Sequence, residues 1–249
     1  MGSHRFHKKQ IVGAAAAIFL TFAAVLALYS QEFDIAVSEK AVLEERIKDY
    51  NFTTENEVTV VECQEAGKYL YVLYEQKERE GTGGLATLEK GILGNYRFLR
   101  CSNFTWPLYN VKTETIGRRN YLLVYGLNDL PEVEIYQVYD NFEKQGEPVY
   151  TGTVGEAPFL ELIEMGEQIQ THSGCIRYLT ADGGEITERE LEERLSVTGG
   201  GSSSSVGTAE TGLIYAYVGI VLLLGIVVTR FFLMTEKTAA ENSETEKRK

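Results

Sequence analysis

Two stretches without a charged residue, 11–30 and 213–229, stand near the two ends of the chain. Twenty helical residues at about 1.5 Å rise per residue span about 30 Å, which is the thickness of a bilayer's hydrocarbon core. Residues 231–234 continue the second apolar stretch, because the long side chain of Arg230 can carry its charge to the headgroups. The pattern therefore predicts two transmembrane helices, at 11–30 and 213–234.

Basic residues flank each of these segments on one side only. Three basic residues precede the first segment, whereas only Lys40 is basic in the fifteen residues that follow it. No basic residue lies in 198–212, before the second segment, and five lie from Arg230 onward. Because positively charged flanks stay on the cytoplasmic side, we expect both termini, 1–10 and 235–249, to be cytoplasmic. The protein would then lie in the plasma membrane with its middle domain extracellular.

The first apolar segment also has features of a secretory signal. Val25 and Ala27 have the small-residue spacing of a signal-peptidase site, which would allow cleavage after Ala27. The apolar run is longer than a usual signal-peptide core, which favours an uncleaved signal anchor. Both alternatives place the middle of the chain outside the cell.

The middle region, 31–197, reads as one mainly-β domain. Short runs rich in Val, Tyr, Leu and Thr are separated by clusters of Gly, Asn and Asp, which is typical of strands joined by tight turns. We predict ten strands at 58–62, 68–75, 85–89, 96–100, 109–115, 120–125, 132–139, 148–153, 159–163 and 175–180.

Short helices flank the predicted strands. Leu43 and Ile47 share one helical face after Ser38, a suitable N-cap. Thr187 and Glu190 have the spacing of a capping box before a second short helix. The predicted fold class is thus a membrane-anchored, mainly-β extracytoplasmic domain with short flanking helices and two transmembrane helices.

A weak internal repeat suggests how the strands are arranged. Residues 68–74 resemble residues 120–125, at an offset of 52 positions. Two repeated four-stranded meanders and a final pair would pack as an antiparallel sandwich or as one curled sheet. The alternative is that two tyrosine-rich strands look alike by chance.

The segments outside the domain have simpler compositions. Residues 198–212 are mostly Gly, Ser and Thr, which predicts a flexible tether between the domain and the second membrane helix. Residues 235–249 form a short, charged cytoplasmic tail with too little apolar surface to fold alone.

The charge of the chain excludes one class of partner. The sequence has 24 Lys and Arg against 36 Asp and Glu, and residues 31–210 alone contain 16 basic and 32 acidic residues. Phosphate backbones attract basic surfaces, so nucleic acid is not expected as a partner. The expected partner is the lipid bilayer, together with another membrane protein or a component of the cell envelope.

The residues that usually carry enzyme chemistry are scarce. His172 is the one histidine between the membrane segments, and no Gly-x-Ser-x-Gly, His-Glu-x-x-His or Cys-x-x-Cys motif occurs. The sequence therefore assigns no catalytic residue, no metal ligand and no cofactor. Carboxylates are too abundant for two of them to stand out as a hydrolase pair.

Three cysteines and two glycosylation motifs remain. An oxidising compartment allows a disulfide, and a Cys63–Cys101 bond would close a loop worth about 4 kcal/mol in the chain-entropy model. Other pairings with Cys175, or three buried thiols, are the alternatives. Asn51 and Asn103 begin Asn-x-Thr motifs, which matter only in a cell that glycosylates secreted chains.

These patterns favour a non-enzymatic module that is tethered to the membrane on the outer face of the cell envelope. It would bind a partner there, act as a sensor or serve as an accessory subunit. Two alternatives stay open: an envelope hydrolase that uses carboxylates or His172, and a carbohydrate-binding surface domain. The identity of the ligand or partner and the oligomeric state are not predicted.

Overall fold

The computed structural model describes residues 8–37, 39–50, 57–77, 82–104, 109–126, 132–154, 159–166, 169–187, 189–190, 193, 202–205 and 208–246. The chain divides into two compact units. Met1–Asp34 and Gly207–Lys249 form one, called here the helical unit, and Ile35–Val206 forms the other, the β unit.

Two long helices make up the described part of the helical unit, α1 (Lys8–Glu32) and a C-terminal helix, α3 (Thr208–Glu246). Each contains a stretch long and apolar enough to cross a membrane, Ile11–Glu32 in α1 and Gly212–Met234 in α3. Helix α3 continues for twelve residues beyond the second stretch, into the region predicted as a tail.

Small residues let α1 and α3 approach each other closely. A Cβ atom added to Gly225 would lie 2.3 Å from the Thr21 Oγ1, and one added to Gly13 would lie 2.7 Å from the Phe232 ring. The Thr21 hydroxyl donates to the Ala17 carbonyl at 2.7 Å, which satisfies it within α1. Because positions 13 and 21 meet positions 232 and 225, the two helices are antiparallel.

The β unit begins with helix α2 (Lys40–Tyr50), which buries Leu43 and Ile47 as the sequence predicts. Ser38, the predicted N-cap, lies outside the described residues. Each of the ten predicted strands overlaps a strand of the structure. In the described part of the chain the strands are β1 (Val58–Ala66), β2 (Tyr69–Gln76), β3 (Gly83–Lys90), β4 (Tyr96–Phe104), β5 (Tyr109–Ile116), β6 (Arg119–Gly126), β7 (Ile135–Val138), β8 (Tyr150–Thr153), β9 (Phe159–Met165), β10 (Ile176–Leu179), β11 (Glu185–Ile186) and β12 (Ser202–Ser205).

These twelve strands form three antiparallel sheets within the described residues. Sheet A has the order β1-β2-β3-β4-β12, sheet B has β5-β6-β9, and sheet C has β11-β10-β7-β8. Pairing is between sequence neighbours in β1 to β4, so the first half of the domain is a simple meander.

Alternating side chains of each sheet enter different apolar clusters. On sheet A, Val72 packs in one cluster with Leu43 and Ile47 of α2, while Tyr71 packs in another with Leu123 of sheet B. The opposite face of sheet B packs against sheet C. Strand β2 is therefore covered on both faces, which explains why Tyr-Leu-Tyr-Val-Leu-Tyr lacks a polar face.

The internal repeat holds for one hairpin and then ends. The β1–β2 and β5–β6 hairpins turn at Gly67 and Gly117, which have φ values of 58° and 66° that favour glycine. Strand β2 then pairs with the next strand, β3, whereas β6 pairs with β9, and β7 begins sheet C. The predicted second meander is thus absent from the described residues.

A turn joins β7 to β8 at the position that corresponds to the β3–β4 turn in the repeat. The Asn141 side chain accepts a hydrogen bond from the backbone N–H of Gln145 and donates to its carbonyl, both at 3.0 Å. Lys144, next to it, has a φ of 54°. The two copies therefore differ in the pairing of their strands and not in the position of this turn.

Part of the predicted tether belongs to sheet A. Ser202–Ser205 pairs with β4, from Asn103 to Arg100, as an edge strand. The sequence pattern does not reveal this strand, because backbone pairing with an existing edge needs no apolar side chains. The predicted capping box is present: Glu190 Oε2 accepts from the Thr187 N–H at 2.8 Å, and Thr187 Oγ1 accepts from the Glu190 N–H at 3.3 Å.

Candidate functional site

Three tight turns meet at one end of the β unit, called here the turn end. The β1–β2 turn at 67–68 and the β3–β4 turn at 91–95 share this end because β1 to β4 form an antiparallel meander. A Cβ atom added to Gly67 would lie 3.0 Å from Ile116 Cγ2, at the end of β5. The β5–β6 turn at 117–118 therefore lies at the turn end as well.

The chain also enters and leaves the β unit toward the turn end. Ile35, the first residue of this unit, exchanges two backbone hydrogen bonds with Tyr96, at 3.0 and 2.8 Å, where β4 begins. Strand β12 is antiparallel to β4 and runs toward that same end, reaching Ser205 opposite Arg100. The chain thus enters the β unit at the turn end, and β12 runs toward that end as far as the middle of β4.

The turn end carries exposed apolar and basic side chains. Ile92 and Leu93, in the β3–β4 turn, are 88% and 55% exposed. Lys68 and Lys90 lie in or beside the turns of sheet A, and Arg119 begins β6 with its side chain exposed. The three turns contain no acidic residue, although the domain as a whole is strongly acidic.

Buried charges lie beneath these turns. Glu89 and Arg97 are only 6% and 5% exposed. Arg97 donates to Glu89 Oε2 from Nε at 2.9 Å and from Nη2 at 2.6 Å, and Lys68 Nζ donates to Oε1 at 2.5 Å. Burial by itself would raise the pKa of Glu89, but the hydrogen bonds from Lys68 and Arg97 and their charges hold the pKa below its usual value. The base of the β3–β4 hairpin is therefore locked by an ionised carboxylate.

A second polar contact supports the same hairpin. Tyr96 donates its hydroxyl hydrogen to Glu65 Oε1 at 2.5 Å, and this bond is the main reason that the pKa of Glu65 is lowered. The Lys90 Nζ lies 3.5 Å from the same carboxylate and 5.4 Å from the centre of the Tyr96 ring. These contacts orient Lys90 beside the exposed β3–β4 turn.

A cleft of about 320 Å³ opens beside the β5–β6 turn. Tyr121 and Met165 contribute apolar surface, and Glu114 contributes a carboxylate that is paired with Lys112. Hydroxyl and amide groups provide most of the other contacts, so the cleft suits a polar ligand. The complete lining is Thr113, Glu114, Thr115, Asn120, Tyr121, Met165, Ile169 and Gln170.

His172 lies beside Cys175 but is poorly placed to act as its base. The His172 Nε2 is 3.5 Å from the Cys175 Sγ. The Gly174 N–H donates to the other ring nitrogen, Nδ1, at 3.2 Å, so the proton of the neutral ring belongs on Nε2. A nitrogen that already carries a proton cannot accept one from the thiol.

The Glu161 carboxylate, a group of the kind that a hydrolase uses, accepts hydrogen bonds from two tyrosines. Tyr136 donates to one oxygen of Glu161, and Tyr150 donates to the other at 2.9 Å. Burial raises the pKa of Tyr136, and the bond to Glu161 raises it further. Gly152 permits this approach, because a Cβ atom there would lie 2.3 Å from the Tyr136 ring. The arrangement joins sheet C to sheet B.

The structure separates Cys63 from Cys101. All three cysteines are among the described residues, and no disulfide joins them. Cys63 pairs with Val72, Val72 with Ala86 and Ala86 with Cys101, in one line across sheet A. Three strand spacings come to about 14 Å, whereas a disulfide requires Cα atoms within about 7 Å. The predicted Cys63–Cys101 bond is therefore incompatible with this sheet.

The thiols also differ in exposure. Cys63 is exposed, whereas Cys101 and Cys175 are buried, so the alternative of three buried thiols is wrong for Cys63. Partial desolvation raises the pKa of the Cys63 thiol, which keeps it mostly protonated near neutral pH.

The structure describes the asparagine of one of the two glycosylation motifs, Asn103. Asn51 lies outside the described residues. Asn103 lies within β4, between β3 and β12, and its Oδ1 accepts hydrogen bonds from Tyr74 at 2.5 Å and Gln76 at 3.1 Å. An asparagine held inside a sheet in this way is a poor acceptor in the folded protein.

Among the described residues, no group of three or more His, Cys, Asp and Glu side chains is arranged to hold a metal ion. Comparisons with family models, curated proteins and solved structures find no match to this chain.

Sequence reasoning missed both the turn end and the cleft. The signal for the turn end is the segment 91–94, Gly-Ile-Leu-Gly, because two large apolar residues between glycines are unusual for an exposed turn. The cleft has no such signal, since its residues come from β5, β6, β9 and the segment after β9.

Proposed function

We propose that this protein is a non-enzymatic binding module, anchored in the plasma membrane by α1 and α3, that presents its β unit on the outer face of the cell envelope. One observation carries the proposal: both connections to the apolar helices leave the β unit toward the turn end. A domain tethered in this way has most of its surface available to a partner.

The antiparallel packing of α1 and α3 supports a double crossing of the membrane. If both helices span the bilayer, the N- and C-termini lie on the same side of it. Lys and Arg are frequent beside the terminal ends of the two spans and scarce beside the ends that face the β unit. This asymmetry favours the cytoplasm for the side of the termini. The β unit, with its excess of acidic residues, is then extracellular.

Two contacts favour a binding role over hydrolysis. With the Gly174 N–H donating to Nδ1, the neutral ring of His172 would carry its proton on the nitrogen that faces Cys175, and both oxygens of Glu161 accept hydrogen bonds from tyrosines. The cleft instead offers hydroxyl, amide and carboxylate groups beside an aromatic ring, which suits recognition of a polar group. Its place near the turn end suits a partner that itself lies close to the membrane.

Cys63 provides a direct test of the orientation. Intact cells that express the full chain are treated with a maleimide that cannot cross membranes, and labelling is read as a shift on a gel. We expect labelling at Cys63, because the other two thiols are buried. The Cys63→Ser variant should show no shift.

A matched control places the thiol at the other end of the protein. In the Cys63→Ser background, Ser243→Cys should be labelled only after the cells are permeabilised. Labelling of Cys63 only after permeabilisation would reject the proposed orientation. Release of the protein by alkaline carbonate would reject membrane anchoring.

A carbohydrate-binding domain is a second candidate, and the lining of the cleft favours it. A tyrosine ring beside hydroxyl and amide groups is a common way to hold a sugar. The full chain in detergent would be screened on a glycan array, with Tyr121→Ala as the variant and Tyr69→Ala, outside the cleft, as the control. Binding that survives Tyr121→Ala unchanged would exclude the cleft as the saccharide site.

A further inference from the structure

We propose that the β3–β4 turn inserts Ile92 and Leu93 into the headgroup region of the outer leaflet and so docks the β unit on the bilayer. This inference rests on the proposed function, because it requires the β unit to be anchored beside a membrane. It adds a third membrane contact, made by a turn and not by a helix.

The apolar side chains of this turn are exposed. Ile92 and Leu93 are among the most exposed large apolar residues of the β unit, and they are neighbours at the tip of one turn. Adjacent exposed apolar residues mark a surface that binds another apolar phase. A turn tip is too small for a protein interface of standard size, but it can enter a lipid interface.

The connection from α1 to the β unit is short. Ile35 is three residues beyond Glu32, the last residue of α1, so at most about 10 Å of chain separates them. Ile35 is hydrogen-bonded to Tyr96, and Tyr96 directly follows the β3–β4 turn. Ile92 therefore lies in the turn next to the residue that pairs with Ile35, where the chain enters the β unit.

The connection from β12 to α3 is also short. Ser205 pairs with Arg100, and α3 begins three residues later, at Thr208. Each connection therefore contains at most about 10 Å of chain. An exposed apolar tip at the turn end has lipid within its reach.

Basic residues lie around the apolar tip. Lys68 and Lys90 lie beside the apolar tip and pair with Glu89 and Glu65 below it, and Arg118 and Arg119 lie at the third turn, while none of the three turns contains an acidic residue. Basic residues around an apolar tip suit the headgroups of an anionic bilayer. The rest of the acidic domain would be repelled by such a surface, which favours approach through the turn end.

A rigid hairpin carries the apolar tip. The base of the hairpin is fixed by the buried Glu89–Arg97 pair and by the Tyr96–Glu65 hydrogen bond. A fixed base holds the tip in one direction. Little conformational entropy is therefore lost when the apolar side chains enter the lipid.

The test uses the full chain in vesicles of phosphatidylcholine and phosphatidylglycerol. In the Cys63→Ser background, an environment-sensitive fluorophore is attached at Ile92→Cys, or at Lys77→Cys as the matched control. Lys77 is exposed and follows β2, at the opposite end of sheet A. Nitroxide-labelled lipids are placed in both leaflets, so that quenching of the fluorophore does not depend on the orientation of the protein in the vesicle.

We expect a blue-shifted emission and strong quenching by the nitroxide lipids at Ile92→Cys, and neither at Lys77→Cys. Adding Leu93→Asp to Ile92→Cys should abolish the quenching. Equal quenching at both positions, or a fluorophore at Ile92→Cys that remains in water, would overturn the proposal and leave the tip to a protein partner or a second copy. Carbonate extraction of the same vesicles separates this failure from a failure of the anchoring itself.

Discussion

Removing the carboxylate of Glu89 should destabilise the β unit more than removing any of the surrounding surface charges. Glu89→Ala leaves the guanidinium of Arg97, which is 5% exposed, without its two hydrogen bonds to that carboxylate. Breaking a buried ion pair from one side costs about 3–5 kcal/mol, because the remaining charge stays desolvated. This is a large part of the 5–15 kcal/mol by which a typical domain is stable.

Lys68 serves as the matched control, because it contacts the same carboxylate from the surface. Its side chain is 57% exposed, so the pair that it forms with Glu89 should be worth only about 0–1 kcal/mol. Lys68→Ala should therefore cost far less than Glu89→Ala. The double variant Glu89→Leu with Arg97→Met should recover most of the loss, because it removes both buried charges together.

The assay is urea unfolding of the full chain in a mild detergent, followed by the near-ultraviolet circular dichroism of the buried tyrosines. If Glu89→Ala and Lys68→Ala shift the midpoint equally, the reasoning from burial is wrong. The same experiment has a pH arm. Because the folded-state pKa of Glu89 is lowered, its contribution is complete above the unfolded value of about 4.3 and is lost as the pH falls through the folded value. The difference between wild type and Glu89→Ala should narrow on acidification.

Three further predictions concern other parts of the β unit. Gly84→Ala should destabilise it by about 1–3 kcal/mol, because the new Cβ would lie 2.1 Å from the ring of Tyr74, while Gly166→Ala, which meets no atom within 4 Å, should be neutral in the same urea assay. Alkylation of the native protein, read by peptide mass spectrometry, should modify Cys63 alone. Because the pKa of Cys63 is raised, the alkylation rate should keep rising at pH values where that of an ordinary thiol has levelled off. Modification of the two buried cysteines under native conditions would contradict their burial. Expression in a glycosylating cell should leave Asn103 unmodified in the folded protein, and a glycan there would show that the motif is used before β4 is paired.

The positions of the elements follow from the sequence because they depend on local patterns. All ten predicted strands overlap observed ones, and Leu43 and Ile47 are buried in α2 as their spacing indicates. The two long apolar helices are equally local in origin, because composition alone makes them suitable for a membrane. Whether they span one, and in which direction, stays a prediction.

Pairing was harder to predict, because it depends on residues far apart in the chain. The resemblance between 68–74 and 120–125 reflects two similar hairpins, yet β6 pairs with β9 and not with the next strand. Strand β7 pairs with β8 and β10 in sheet C and not with β6, and a few serines complete sheet A through backbone bonds alone. Neither event leaves an apolar pattern in the sequence.

The sequence by itself determined where the chain is extended, where it is helical and which segments avoid water, because each of these depends on side chains within a few residues of one another. Only the tertiary structure decided that Cys63 and Cys101 are held three strands apart, that Glu89 and Arg97 are buried together, and that Ile92 and both chain connections lie toward one end of sheet A. Those facts depend on strand order and register, which are set by packing among distant residues and not by any local pattern.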